Sequence, residues 1–122
     1  EMWRAARLVI DTGMHSMGWT RQQAIDYMAS HTALAKLDIT NEVDRYIAWP
    51  AQALAYKLGE LSIRKMRAKA EAELGAKFDQ RPFHDTLLTM GSVPLPVMEA
   101  ELDAFIQAEK AKAAAGASGA AQ

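Results

Sequence analysis

One period runs through this chain almost from end to end. Apolar residues recur about every 3.6 positions, and no segment keeps the strict alternation that a half-buried strand needs. From Glu1 to Met17, steps of roughly 100° gather Met2, Trp3, Ala6, Val9, Ile10, Gly13, Met14 and Met17 on one side, which predicts an amphipathic helix. Gly18 supplies a stop. Thr20-Arg21-Gln22-Gln23 then has the form of a capping box, so a second helix is expected near residues 21 to 31, with Ala24, Ile25 and Met28 buried. A short helix capped by Asp38 or Thr40 should carry Glu42, Val43, Arg45, Tyr46 and Ile47. Pro50 breaks or kinks the chain and suits the first turn of a long helix running to Leu74, with Leu54, Leu58 and Leu61 as its apolar stripe. Asp79 and Pro82 start a helix through Phe83, Leu87 and Leu88, closed by Gly91. The Val93-Pro94-Leu95-Pro96 stretch reads as an extended connector, and Met98, Leu102, Phe105 and Ile106 describe a last amphipathic helix. The fold class is therefore all-α, with about five or six helices. Residues 1–108 form the helical segment, and residues 109–122, rich in Ala and Gly, are expected to form a loose tail.

Charge narrows the partners. The 14 Lys and Arg against 15 acidic residues leave a net charge of −1, which offers no general attraction for nucleic acid or an anionic membrane. No stretch approaches the roughly 18 apolar residues of a membrane helix, so no membrane is called either. With no cysteine there is no disulfide, thiolate zinc site or Cys nucleophile. The amphipathic pattern is already running at Glu1, so the chain reads as cut from something longer. A signal peptide upstream is open, and so is the compartment.

Chemistry has few places to sit. His15, His31 and His84 are far apart, HExxH is absent, and neither a phosphate loop nor a nucleophile elbow occurs, so no metal ligands are assigned within this chain. The first helix places Arg4, Arg7, Asp11 and His15 in one polar stripe beside its apolar face. They read either as a solvated face with an Arg7–Asp11 pair or as a network in which Arg7 and Asp11 orient His15 toward a cleft. A second group, Arg45 and Tyr46 with Gln52 and Tyr56 just past Pro50, is rich in donors suited to a carboxylate or a tetrahedral oxyanion. Its plainer reading is amphipathic packing. Trp3, Trp19 and the methionines track the helical stripes and read as core, with Tyr46 and Trp49 at its edges.

Asp11-Thr12-Gly13-Met14-His15 with Gly18-Trp19-Thr20, and Glu42-Val43-Asp44-Arg45-Tyr46 running through Pro50 to Gly59, resemble the end of the bacterial domain-of-unknown-function family 885. The resemblance extends over residues 1 to 106. Members look like gluzincin-type zinc peptidases, all-α, with an HExxH helix and a later glutamate ligand that would both precede Glu1. The resemblance thus implies the C-terminal cleft wall of a zinc-dependent metallopeptidase, with zinc held outside this chain, a peptide substrate, and the N-terminal portion of the same protein as partner. By similarity, His15 and Tyr56 are the candidate catalytic donors to an oxyanion, and Arg45, Tyr46 and Gln52 the candidate substrate-binding residues. The competing expectation is a non-catalytic helical scaffold or interaction module. Faces that would meet the N-terminal portion, including part of the Trp3 and Met14 stripe, should favour self-association of the isolated piece. One departure from the family pattern is Ala51, which follows Pro50 where glycine is usual. Alanine disfavours a positive φ, so a differently shaped turn is expected.

Overall fold

The structure, a computed structural model, describes residues 1–119, with side chains described through Ala115. Among the described residues there are six α-helices and no strand: α1 (Met2–Ser16), α2 (Arg21–His31), α3 (Lys36–Ala48), α4 (Ala55–Leu74), α5 (Gln80–Thr89) and α6 (Leu95–Gly119). Short 3-10 turns at Gln52–Leu54 and Gly75–Lys77 precede and follow α4. Among these residues no helix is long and apolar enough to cross a membrane. Residues 120–122, the end of the expected tail, lie outside the described residues.

The chain divides into two compact units, Glu1–Glu60 and Leu61 onward. In the first, Ala6, Ile10, Ala24, Ile25, Met28, Ile39, Val43, Tyr46 and Ala53 make the core. The box at the start of α2 forms as expected: the Thr20 hydroxyl accepts from the Gln23 amide at 3.2 Å, and Gln23 Oε1 accepts from the Thr20 amide at 2.8 Å. Gly13 lets the chain turn back closely, since a Cβ there would meet the Trp19 ring at 2.5 Å. In the second unit Met66, Ala70, Leu74, Phe83, Met98, Leu102 and Ile106 form a wholly apolar core. Phe83 meets Phe78 and Phe105 edge-on, the geometry that ring quadrupoles favour.

Several local expectations change. Helix α3 starts at Lys36 behind Ala35 without a side-chain cap, so neither Asp38 nor Thr40 is the cap; both lie inside the helix. Pro50 sits in a turn and α4 begins at Ala55. The buried face of α4 is Ser62, Met66, Ala70 and Leu74, whereas Leu58 and Leu61 are exposed. The long helix is buried along only part of its length, so a stripe read from its start follows the wrong face. Pro96 does not extend the connector. It occupies the first turn of α6, where a missing N–H costs nothing, and the Pro94 carbonyl accepts from Val97 and Met98. Met2, Met17 and Trp3, read as core, are exposed, and so is Trp49, expected at a core edge, while Met28, Met66 and Met98 are buried.

Candidate functional site

The first unit buries charge. Arg7 is 5% exposed and Asp11 2%, both on the α1 side that also buries Ala6 and Ile10. Asp11 does not ion-pair with Arg7. Both of its carboxylate oxygens lie 3.1 Å from the Ala51 amide, which donates to them. That bond holds a turn in which Ala51 has φ 67° and ψ −13°, the left-handed region, so the doubt about a positive φ at alanine is overturned. A non-glycine residue there costs about 1–2 kcal/mol, and the Asp11 bond offsets part of it.

That turn delivers Gln52 and Tyr56 to one side of the unit, where they join α1 and α3. Trp3, Arg4, Arg7, Arg45, Gln52 and Tyr56 line a cleft of about 340 Å³. Its floor is a connected polar network. Arg45 grips Glu42 with two nitrogens, Nη2 at 2.6 Å and Nε at 3.3 Å, and gives Nη1 to Gln52 Oε1 at 2.9 Å. Gln52 Oε1 also accepts from Arg7 Nη2 at 3.3 Å. The fully buried Tyr46 donates its hydroxyl to Glu42 at 2.6 Å and accepts from the Trp3 indole at 3.1 Å. Beside this network the Arg7 guanidinium lies 5.1 Å from the Tyr56 ring centre, 5.3 Å from that of Tyr46 and 5.9 Å from that of Trp3. Arg4 approaches Tyr56 from the rim.

The titrating groups follow from these contacts. Burial pushes the Tyr46 phenol up to about 12, helped by its hydrogen bond to Glu42. Burial also opposes ionisation of Glu42, but the bonds from Arg45 and Tyr46 outweigh it and hold the carboxyl below its ordinary value. The network is therefore built around a charged Glu42 and a neutral Tyr46.

Of the residues expected from sequence, Arg7, Arg45, Gln52 and Tyr56 meet in the cleft, and Tyr46 lies beneath it. Asp11 serves the Ala51 turn. His15 is not among the cleft-lining residues; it sits two turns beyond Arg7, about 12 Å along α1. Its Nε2 lies 2.9 Å from the Tyr46 carbonyl, which can only accept, so that nitrogen carries a proton. Trp3 and Glu42 were missed as site residues. Trp3 read as core because it tracks the apolar stripe, and Glu42 lies four residues before Tyr46, a spacing that could have flagged the pair. Among the described residues no three His, Cys, Asp or Glu side chains gather as a metal site requires.

Comparison with solved structures finds a match to the crystal structure of "the putative lipoprotein from Colwellia psychrerythraea". It is 48% identical with a TM-score of 0.84, over 86% of this chain and 18% of that one. This chain thus spans less than a fifth of that protein. No curated protein matches significantly. Residues 1–102 match the bacterial proteins of unknown function called DUF885, a span that takes in every residue of the cleft, and the chain belongs to that family.

Proposed function

We propose that this chain is the C-terminal cleft wall of a zinc-dependent, metallopeptidase-like hydrolase, and that the arginine and tyrosine cleft faces its peptide substrate. The observation that carries this reading is the cleft lining itself: three arginines, an amide and two aromatic rings, with no acidic residue among them. Such a lining suits a group carrying negative charge, a substrate carboxylate or the oxyanion of a tetrahedral intermediate. The peptidase part rests on the resemblance to gluzincin-type enzymes. On that reading the zinc is held by the part of the protein outside this chain, as the resemblance to gluzincin-type enzymes implies.

Tyr56 is the proposed catalytic donor, since its ring borders the cleft and is 56% exposed. His15, expected from the sequence beside it, stands farther off, with its Nε2 proton on the Tyr46 carbonyl. Its proposed part is accordingly to steady the end of α3 that carries Arg45 and Tyr46. Arg45, Tyr46 and Gln52 shape the wall against which a substrate carboxylate would rest.

A second reading, a non-catalytic helical scaffold, draws on the same network, because the Trp3–Tyr46–Glu42–Arg45 chain also ties α1 to α3. The full-length protein loaded with zinc separates the two. If the hydrolase reading holds, Tyr56→Phe lowers kcat by roughly 10²–10³ with KM nearly unchanged. A full-length protein that hydrolyses no peptide favours the scaffold, and an active one indifferent to Tyr56→Phe removes that residue from the chemistry.

A further inference from the structure

Two arginines in the cleft are treated very differently. Arg45 has a carboxylate across two nitrogens and an amide oxygen on a third. Arg7 is the more deeply buried, at 5% exposure, yet among the described residues it has no ion pair. Its hydrogen bonding amounts to one long contact, Nη2 to the neutral Gln52 oxygen at 3.3 Å, and its Nε is buried without any acceptor. The charge of Glu42 is felt by Arg7, but the Glu42 oxygens are taken by Arg45 and Tyr46 and those of Asp11 by the Ala51 amide, so neither carboxylate hydrogen-bonds Arg7.

Burying a guanidinium without an anion is costly, and proteins normally pair or hydrogen-bond such a group. The rings of Trp3, Tyr46 and Tyr56 favour the cation, but through their faces. They accept none of its in-plane N–H donors as a carboxylate oxygen would. What the site lacks is an acceptor with two oxygens, and the cleft beside Arg7 is open and free of competing acids.

We propose that Arg7 is the anchor for a carboxylate ligand entering this cleft, with Arg4 completing its hold. Resting on the hydrolase reading, the ligand is the C-terminal carboxylate of a peptide. A planar carboxylate matches the edge of one guanidinium, whereas a phosphate dianion calls for more donors than a single deep arginine offers. The rings of Trp3 and Tyr56 flank the space that the terminal side chain would fill, which favours an apolar or aromatic last residue. Arg45 is then a positioning residue: Glu42 holds it, and through Gln52 Oε1 it fixes the one polar atom that Arg7 touches.

The test is calorimetry on the full-length protein with N-acetylphenylalanine and its C-terminal amide, which share a shape and differ in charge. The acid should bind at least about tenfold more tightly than the amide, and Arg7→Gln should erase that preference. Arg4→Gln, an exposed change that endangers folding least, should weaken the acid roughly three- to tenfold and leave the amide alone. Should Arg7→Gln fail to fold, the acid-to-amide ratio and its response to Arg4→Gln decide the matter. Equal binding of acid and amide, or a preference that survives in Arg7→Gln, overturns the proposal. So does the finding that neither probe binds while Arg7→Gln lowers thermal stability, because the missing carboxylate then comes from the polypeptide itself. Calorimetry needs no turnover, so a protein that prefers the acid through Arg7 and never cleaves a peptide keeps this anchor and loses the hydrolase reading.

Discussion

The two units handle polarity in opposite ways. The first buries Arg7, Asp11, a network around Glu42 and Tyr46, and a strained turn at Ala51. The second keeps its core apolar and places its charges outside, where Lys69 meets Asp103 and Lys110 meets Glu73 between α4 and α6. Ser62 is the partial exception, nearly buried but satisfied by donating to Glu99. Exposed pairs of that kind contribute about 0–1 kcal/mol each, so the second unit is held mainly by its side-chain packing. A buried polar network adds little net stability and fixes geometry instead. Residues that must point in particular directions are therefore to be sought in the first unit, where the cleft lies.

The contrast can be broken by substitution, and the largest effect belongs to the second unit. Phe83→Ala removes a fully buried ring wedged between Phe78 and Phe105, and should cost about 3–5 kcal/mol. Hydrogen exchange in the full-length protein should quicken in peptides from residues 61–115 and stay as it was in those from residues 1–60. Equal quickening in both would show one cooperative body. In the first unit the counterpart is Asp11→Ala, which removes the buried carboxylate that accepts from the Ala51 amide and should cost about 1–3 kcal/mol. Its exchange signature should centre on residues 49–56. If acid selectivity of binding survives Asp11→Ala, the turn does not position the cleft.

The same contrast explains what could be read from the sequence. Helix α2 was legible because its signals are local: a capping box and three apolar residues on one face. All-α architecture followed from periodicity for the same reason. Helix α3 lacked a side-chain cap, so its start at Lys36 left no mark. The buried face of α4 escaped because Leu58 and Leu61 are as apolar as Met66 and Leu74, and only packing decides between them. In the site, Arg45, Gln52 and Tyr56 drew notice by their donor chemistry. That Asp11 serves a turn 40 residues away, rather than Arg7 on its own helix, is a tertiary fact that no spacing announces. Arg7 is legible as a charged residue, but its lack of a hydrogen-bonded carboxylate is not, because the natural i,i+4 partner is taken.

A smaller effect tests the network through pH. Tyr46→Phe removes a donor to Glu42 and an acceptor for Trp3, and should cost about 1 kcal/mol near neutrality. Because the folded phenol titrates at about 12 against an ordinary 10.0, its contribution is complete below pH 10 and is lost as pH rises toward 12. Glu42 works the other way. Its folded value is lowered, so its contribution is complete above the ordinary 4.5 and disappears as pH falls below that. Melting curves of the wild type should fall on the alkaline side, and Tyr46→Phe should flatten that fall. An unchanged alkaline slope would mean the phenol is not the titrating group.

The smallest expected effect has the opposite sign. Ala51 is exposed, so Ala51→Gly removes a methyl group with little buried area to lose. What it does remove is the clash between Cβ and the backbone at φ 67°, about 1–2 kcal/mol. Against this, glycine loses more conformational freedom on folding, about 0.5–1 kcal/mol. The balance favours the variant by about 0–1.5 kcal/mol, so Ala51→Gly should raise the melting temperature slightly and slow exchange around residues 49–56. Among the substitutions considered, this one alone should stabilise, because it relieves strain where the others remove a contact. If it destabilises instead, the turn carries no net strain, and the Asp11 carboxylate is then not compensating for it. Asp11 would then only satisfy the Ala51 amide, and the difference between the two units would rest on Arg7 and the network around Glu42 rather than on a strained turn.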